Sequence, residues 1–395
     1  MTTETVIVGY ARTPIGKFGG GFKPLSAMDL GAEAIKAALD RAGVSPEQVG
    51  YCIMGHVIQA GQAEITSKQA AVSAGLPMEV PCTTTNKVCL SGMTAIAEAD
   101  RHIRVGDFDI VVAGGMESMT NAPYLLPEAR FGYKRGSGEI LDAMMWDGLT
   151  DPFEHKPMGA VSDPPNEELG ISREDQDEFS VESHQRAADA WKNGRFEGEV
   201  VPVEVPQDKG DPQTVDQDEG FRSDASLDTM SKLPAVFTQD GTITPGNSSQ
   251  VSDGGAAVVL TTREKAEELG LTPLATIRGW ATTAGPKNWL HNQPGDAIQK
   301  VSKHLDLDPA GYDLYEINEA FAAVVIQAMR DLNISRDKVN VNGGAVAIGH
   351  PIGCTGTRIV VTLLHELHNR GGGRGVAALC GGGGQGDGLV IEVEG

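Results

Sequence analysis

Two stretches of this chain carry the same alternation of strand-like and helix-like runs, and a proline-broken segment separates them. In the first, residues 5–119, Thr5–Tyr10 reads as a buried strand. Ser26–Ala42 follows as a helix with Leu30, Ala34 and Ala38 at helical spacing and Ser26 as its N-cap. Ser45-Pro46-Glu47-Gln48 has the capping-box pattern of a short helical turn. Strand-like Tyr51–Ile58, helical Thr66–Ala74, a helix opened by Cys89, and strand Asp109–Ala113 ending at Gly114-Gly115 complete the run. From 273 onward the alternation returns. Strands are expected over Leu274–Trp280, Asp313–Ile317, Lys338–Val341, Gly375–Cys380 and Leu389–Val393. Helices are expected over Gly295–His304, Asn318–Met329 and Thr355–His368. Such βαβα order implies a parallel or mixed sheet covered by helices.

Residues 120–250 differ. Eleven prolines from Pro123 to Pro245 interrupt them, and one clear helix is expected, Ser172–Asn193. Long connections within compact proteins are commonly functional insertions, so this stretch reads as an inserted loop domain. The expected division is 1–119 plus 251–272, then 120–250, then 273–395. The helices beginning at Cys89 and near Asn318-Glu319-Ala320-Phe321 are expected to correspond in the two halves, bringing their N-termini to one site.

Chemistry-bearing residues concentrate at the element junctions, where α/β proteins hold ligands. Cys89 stands in Asn86-Lys87-Val88-Cys89 at a helix start, where the macrodipole would lower a thiol's pKa. Cys380 leads into Gly381-Gly382-Gly383-Gly384-Gln385-Gly386. Asn318 opens Asn318-Glu319-Ala320-Phe321, and His350 lies in Gly349-His350-Pro351. Acyl transfer to a thiol needs a nucleophile with a basic neighbour, N–H donors for an oxyanion, and a base for a carbanion. These four residues match those roles. Taken singly, His350 reads as a loop histidine and Asn318 as an N-cap; their combination carries the argument. The terminal glycine run fails as a dinucleotide motif because it follows the last helix instead of opening one.

Asn86-Lys87-Val88-Cys89, Asn318-Glu319-Ala320-Phe321, Gly349-His350-Pro351 and Cys380-Gly381-Gly382, in this order, make the chain closely similar to the thiolases, and most similar to the acetyl-CoA acetyltransferase branch. The resemblance runs from Ala11-Arg12-Thr13-Pro14 to Gly386. It implies an α/β thiolase fold, with duplicated five-layered α/β/α/β/α halves and an inserted loop domain for CoA binding and oligomerisation. It also implies ping-pong transfer: Cys89, activated by His350, takes acetyl from acetyl-CoA, and Cys380 deprotonates a second acetyl-CoA. Asn318, holding a water, and His350 form one oxyanion hole; the N–H groups of Cys89 and Gly382 form the other. Arg222 and Ser249 are implied CoA contacts, Met158 an acyl-pocket residue, and Ala320 and Phe321 neighbours of the pantetheine thiol end. CoA thioesters are substrates; no metal or bound cofactor is implied. The implied assembly is a homotetramer of paired dimers.

The sequence departs from the acetyl-CoA branch at Pro157-Met158-Gly159, where that branch carries His-Met-Gly; His155 lies two residues too early to replace it. Ala160–Pro165 replaces the usual start of the next helix. Pro157-Met158-Gly159 and Cys354-Thr355-Gly356 resemble degradative 3-ketoacyl-CoA thiolases, the alternative reading. Ala122-Pro123-Tyr124, Arg135-Gly136 and Asp147–Asp151 resemble the tetramerising region of the acetyl branch. A catalytically idle CoA- or lipid-binding homologue is disfavoured by the four intact motifs, and a Cys-His-His condensing enzyme by Cys380 in place of a second histidine.

Composition excludes other classes. A formal charge of -22 repels phosphate backbones and so disfavours a nucleic-acid partner. Five cysteines without CxxC or zinc spacing indicate reduced thiols, and no run approaches the ~20 apolar residues of a membrane span. With no signal-like N-terminus, the cytoplasm is the expected compartment.

Overall fold

The computed structural model describes residues 3–395. In chain order the main elements begin with β1 (Thr5–Arg12), α1 (Ala27–Ala42), β2 (Tyr51–Gly55), α2 (Thr66–Ser73), β3 (Cys82–Thr85), α3 (Ser91–Val105) and β4 (Ile110–Ser118). The inserted segment supplies α4 (Met158–Glu168) and α5 (Arg173–Lys192). The chain then forms β5 (Ser252–Thr262), β6 (Ala275–Ala284), α6 (Gln293–Leu305), β7 (Leu314–Ile317), α7 (Ala322–Leu332), α8 (Ile352–Asn369), β8 (Gly373–Gly381) and β9 (Gln385–Val393).

The strands run in the order β7-β8-β9-β6-β1-β5-β4-β2-β3. Pairs β2/β3, β2/β4 and β7/β8 are parallel; the others are antiparallel. Between the halves the ladder narrows to Val6 opposite Thr276 and Ile7 opposite Ala275. The chain folds back across that junction, and the five layers arise from both halves together. α1 and α2 cover one sheet through a cluster including Ile35, Leu39, Cys52 and Val112. α6 and α7 cover the other through Ile298, Val325 and Val376. α3 and α8 pack between, in a cluster joining Ile96 and Leu363 to Val111, Leu379 and Ile391. This middle layer is common property. Its tight crossing depends on Gly92, where a Cβ would lie 2.8 Å from both the amide nitrogen and the hydroxyl of Thr357.

Ser26 caps α1 as expected: Asp29 N–H donates to Ser26 Oγ at 3.2 Å, and Asp29 Oδ2 accepts from Ser26 N–H at 2.8 Å. Four expectations need correction. Gly114-Gly115 do not end their strand; β4 continues to Ser118, and the missing side chains let the Ala256 and Gly353 carbonyls approach. Residues 338–341 form no strand, only a parallel bridge between Tyr315 and Val339. α4 forms despite Pro164 and Pro165. Their missing N–H groups weaken it locally, but Asp163 within it accepts from the Thr242 and Ile243 amides, so tertiary bonds hold the segment. Finally, element order pairs α3 with α8 and α2 with α7, so the counterpart of the Cys89 turn is the His350 segment, not Asn318.

Candidate active site

Cys89 lies two residues before α3, on the turn from β3, not in the helix itself. Val88 has φ +53°, an unfavourable value for a β-branched residue. Side chains hold that turn: Asn86 Oδ1 accepts from Val88 N–H at 3.0 Å, and Ser91 Oγ accepts from Lys87 N–H at 2.8 Å while donating to the Val88 carbonyl at 2.6 Å. Lys87 turns away to Asp387, 2.7 Å distant.

His350 precedes α8. Its Nδ1 lies 2.6 Å from Thr355 Oγ1, which donates to the Pro351 carbonyl at 2.9 Å. The hydroxyl hydrogen is thus committed elsewhere, so Thr355 accepts, His350 carries its proton on Nδ1, and the Nε2 lone pair is left for chemistry. Asn318 Nδ2 stands 3.4 Å from that Nε2, and Asn318 Oδ1 is buried without a protein partner. Asn318 is not an N-cap; Phe321 occupies that position of α7. Reciprocal backbone bonds, Ser249 N–H to the Ala320 carbonyl and Ala322 N–H to the Asn247 carbonyl, lay residues 247–249 beside 320–322.

These pieces enclose an inner chamber of about 60 Å³ lined by Cys89, Cys380, Gly382, His350, Met158, Ser249, Ala320 and Phe321, among others. An apolar channel of about 220 Å³ shares Met158, Ser249, Phe321 and His350 with it and adds Met119, Met145 and Phe237. Asn318 stands behind His350 instead of lining either space. Arg222 is exposed and lines neither; its amide donates to His184 Nδ1 at 3.1 Å. Pro157 borders the channel, while His155 is exposed and stacks on Trp146, with ring centroids 6.4 Å apart.

Electrostatics correct one expectation. Cys89 is half-buried as a residue, yet the apolar walls around its sulfur push the thiol up to about 12, and the backbone N–H groups of Gly382 and of Cys89 itself act in the opposite direction. Burial also raises the Cys380 thiol, with Cys89, which lines the same chamber, acting in the same direction. Burial, assisted by the Arg358 guanidinium, holds His350 down to about 3, so it is a neutral base. At rest the arrangement is two protonated thiols beside a lone pair.

Residues that sequence reasoning missed are Thr355 and the channel walls Met119, Met145, Leu149 and Phe237. Among the described residues no cluster of three or more His, Cys, Asp or Glu could hold a metal ion, and no helix is long and apolar enough to cross a membrane.

Residues 5–264 match the family model described as Thiolase, N-terminal domain, and residues 271–393 that described as Thiolase, C-terminal domain. A probable acetyl-CoA acetyltransferase of Mycobacterium leprae is 51% identical over 99% of this chain and 100% of its own length. The acetyl-CoA acetyltransferase of Cupriavidus necator is 48% identical over 99% of each. The crystal structure of the Bacillus anthracis acetyl-CoA acetyltransferase superposes with a TM-score of 0.97 at 40% identity, covering 99% of both chains.

Proposed function

This chain belongs to the thiolase family, and from that premise we propose that it is an acetyl-CoA C-acetyltransferase, condensing two acetyl-CoA to acetoacetyl-CoA and CoA and catalysing the reverse thiolysis. The observation that carries this reading is the convergence of two thiols, Cys89 and Cys380, with the His350 imidazole and the Gly382 backbone in one chamber.

The protons balance around those groups. His350 Nε2 takes the Cys89 proton as the sulfur attacks the thioester carbonyl, and the oxyanion meets the N–H groups of Cys89 and Gly382. The departing CoA thiolate takes the proton of Cys380. Cys380, now a thiolate, removes an α-proton from the second acetyl-CoA, whose enolate oxygen is met by the protonated His350 and by a water that Asn318 holds. The enolate carbon attacks acetyl-Cys89, and the expelled Cys89 sulfur recovers its proton from His350. CoA thioesters are the only ligands this sequence requires, with neither metal nor cofactor.

The methionine-lined channel and Pro157 at its border favour one second reading, thiolysis of longer 3-ketoacyl-CoA in fatty-acid breakdown. Cleavage of acetoacetyl-CoA by CoA, compared with that of a 3-ketoacyl-CoA of six to ten carbons, decides between them. A clearly higher kcat/KM for the longer substrate would sink the acetyl-specific reading.

Tyr124, Leu126, Phe131, Ile140 and Phe153 are exposed apolar side chains within 124–153 and support assembly as a homotetramer. A cytoplasmic location completes the reading, supported by five free thiols suited to a reducing compartment.

A further inference from the structure

We infer that Glu117 is a positioning residue whose buried carboxylate holds the Cys89 turn and the His350 segment in register with one another. The inference rests on the thiolase reading and deepens it.

Glu117, at the end of β4, is 0% exposed. Its Oε2 accepts from Val57 N–H at 3.1 Å and from Gly353 N–H at 3.0 Å. Its Oε1 accepts from Ile58 N–H at 3.2 Å and lies 3.2 Å from His56 Nε2. Both oxygens face two donors each, so an amide at this position would set an NH2 group against N–H groups whichever way it turned.

One route from this carboxylate leads to the nucleophile. The Val57 carbonyl accepts from Asn86 Nδ2 at 3.2 Å, and Asn86 Oδ1 holds the Val88 amide. Val88 is the residue with the unfavourable φ, and such a conformation persists only where its surroundings over-determine it. The other route leads to the base. Gly353 lies in the first turn of α8, three residues after His350, and its N–H has no partner within the helix. A Cβ at Gly353 would lie 2.8 Å from Glu117 Oε2, so the glycine is what lets the carboxylate dock there. Four hydrogen bonds thus span from α8 through Glu117 and Asn86 to the residue before Cys89.

The test uses the full chain carrying Glu117→Gln, Asn86→Ala or both. Acetoacetyl-CoA thiolysis should lose about tenfold or more in kcat in each single variant, with KM within about twofold, as expected when groups are misaligned without loss of binding. The double variant should fall no further than the worse single one, because both substitutions cut the same connection. Losses that multiply, or an unchanged kcat in either single variant, would overturn the inference. Iodoacetamide alkylation of Cys89 gives a second readout. The ionisable groups around Cys89 are His350 and Cys380, which share its chamber, and Glu117, whose carboxylate lies beyond the Val57 and Ile58 amides and acts on the thiol through space; replacing that carboxylate by an amide should move the alkylation profile to lower pH, which mere destabilisation would not do. An unmoved profile counts against it. If Glu117→Gln fails to fold, Asn86→Ala alone carries the kinetic test. Should the unsubstituted protein show no thiolysis, the thiolase reading fails, and the alkylation profiles still judge Glu117.

Discussion

His350 Nδ1 and Thr355 Oγ1, 2.6 Å apart, settle which nitrogen of the imidazole can act as a base. Replacing Thr355 with Val removes the acceptor that selects the tautomer while nearly preserving volume. kcat/KM for thiolysis should fall by about tenfold or more, within the range that general-base catalysis supplies. Thr355→Ser, which keeps the hydroxyl, should recover most of it. Equal activity of the Val and Ser variants would show that the hydroxyl does not orient the ring.

The raised Cys89 thiol makes a prediction for reactivity. With its pKa near about 12, the iodoacetamide rate at Cys89 should climb about tenfold per pH unit from pH 7 to 10, following the thiolate fraction. A plateau near pH 8 would mean that the resting thiol is already ionised there.

Cys89→Ser should abolish acetyl labelling of the protein by acetyl-CoA. Cys380→Ser should still accept the label yet fail to form acetoacetyl-CoA, since its missing base is needed only after acylation. Mass spectrometry of the intact chain distinguishes these outcomes, and an unlabelled but folded Cys380→Ser protein would refute the division of roles.

His291 predicts a pH effect on stability. It is buried, its Nε2 bonds Asn166 Oδ1 at 2.8 Å, and burial holds it down to about 4 against an ordinary 6.5. Because the folded pKa is depressed, the unfolded chain binds the extra proton between those values. The contribution is present above about pH 6.5 and lost as pH falls toward 4. Relative to His291→Gln, the unsubstituted protein should therefore lose up to about 1.4 kcal/mol per pH unit across this window. Parallel urea-midpoint curves for the two proteins would contradict it.

How far the site could be read in the sequence depended on how locally each residue's role is written. Cys89, Asn318, His350 and Cys380 are legible because each stands in a short motif at an element junction and the four motifs occur together in one order; taken singly, His350 reads as a loop histidine and Asn318 as an N-cap. Thr355 carries no such mark: within α8 it reads as one more small helical residue, and only the Pro351 carbonyl reveals where its hydrogen goes. Glu117 ends an apolar strand, and the amides it binds are 59 to 236 positions away in sequence. The start of the Cys89 helix was misplaced because apolar periodicity runs through Val88, whose left-handed φ breaks the helix without changing the pattern. The repeat was visible, but its register was not: the third strand of the second half has shrunk to one bridge at Val339, which hid the true partner of the Cys89 turn.

The shared middle layer has a consequence for biosynthesis. α3 and α8 each present one flank to their own sheet and the other to the opposite half, so a nascent chain that has completed only its first half leaves α3 without its cover. Cys89 at that stage has neither His350 nor Gly382 beside it, since both are made more than 250 residues later. The reactive thiol is thus unarmed throughout synthesis. On the proposed mechanism, acylation of Cys89 waits until the chain has been made through Gly382, so acetyl labelling reports that both halves have been assembled.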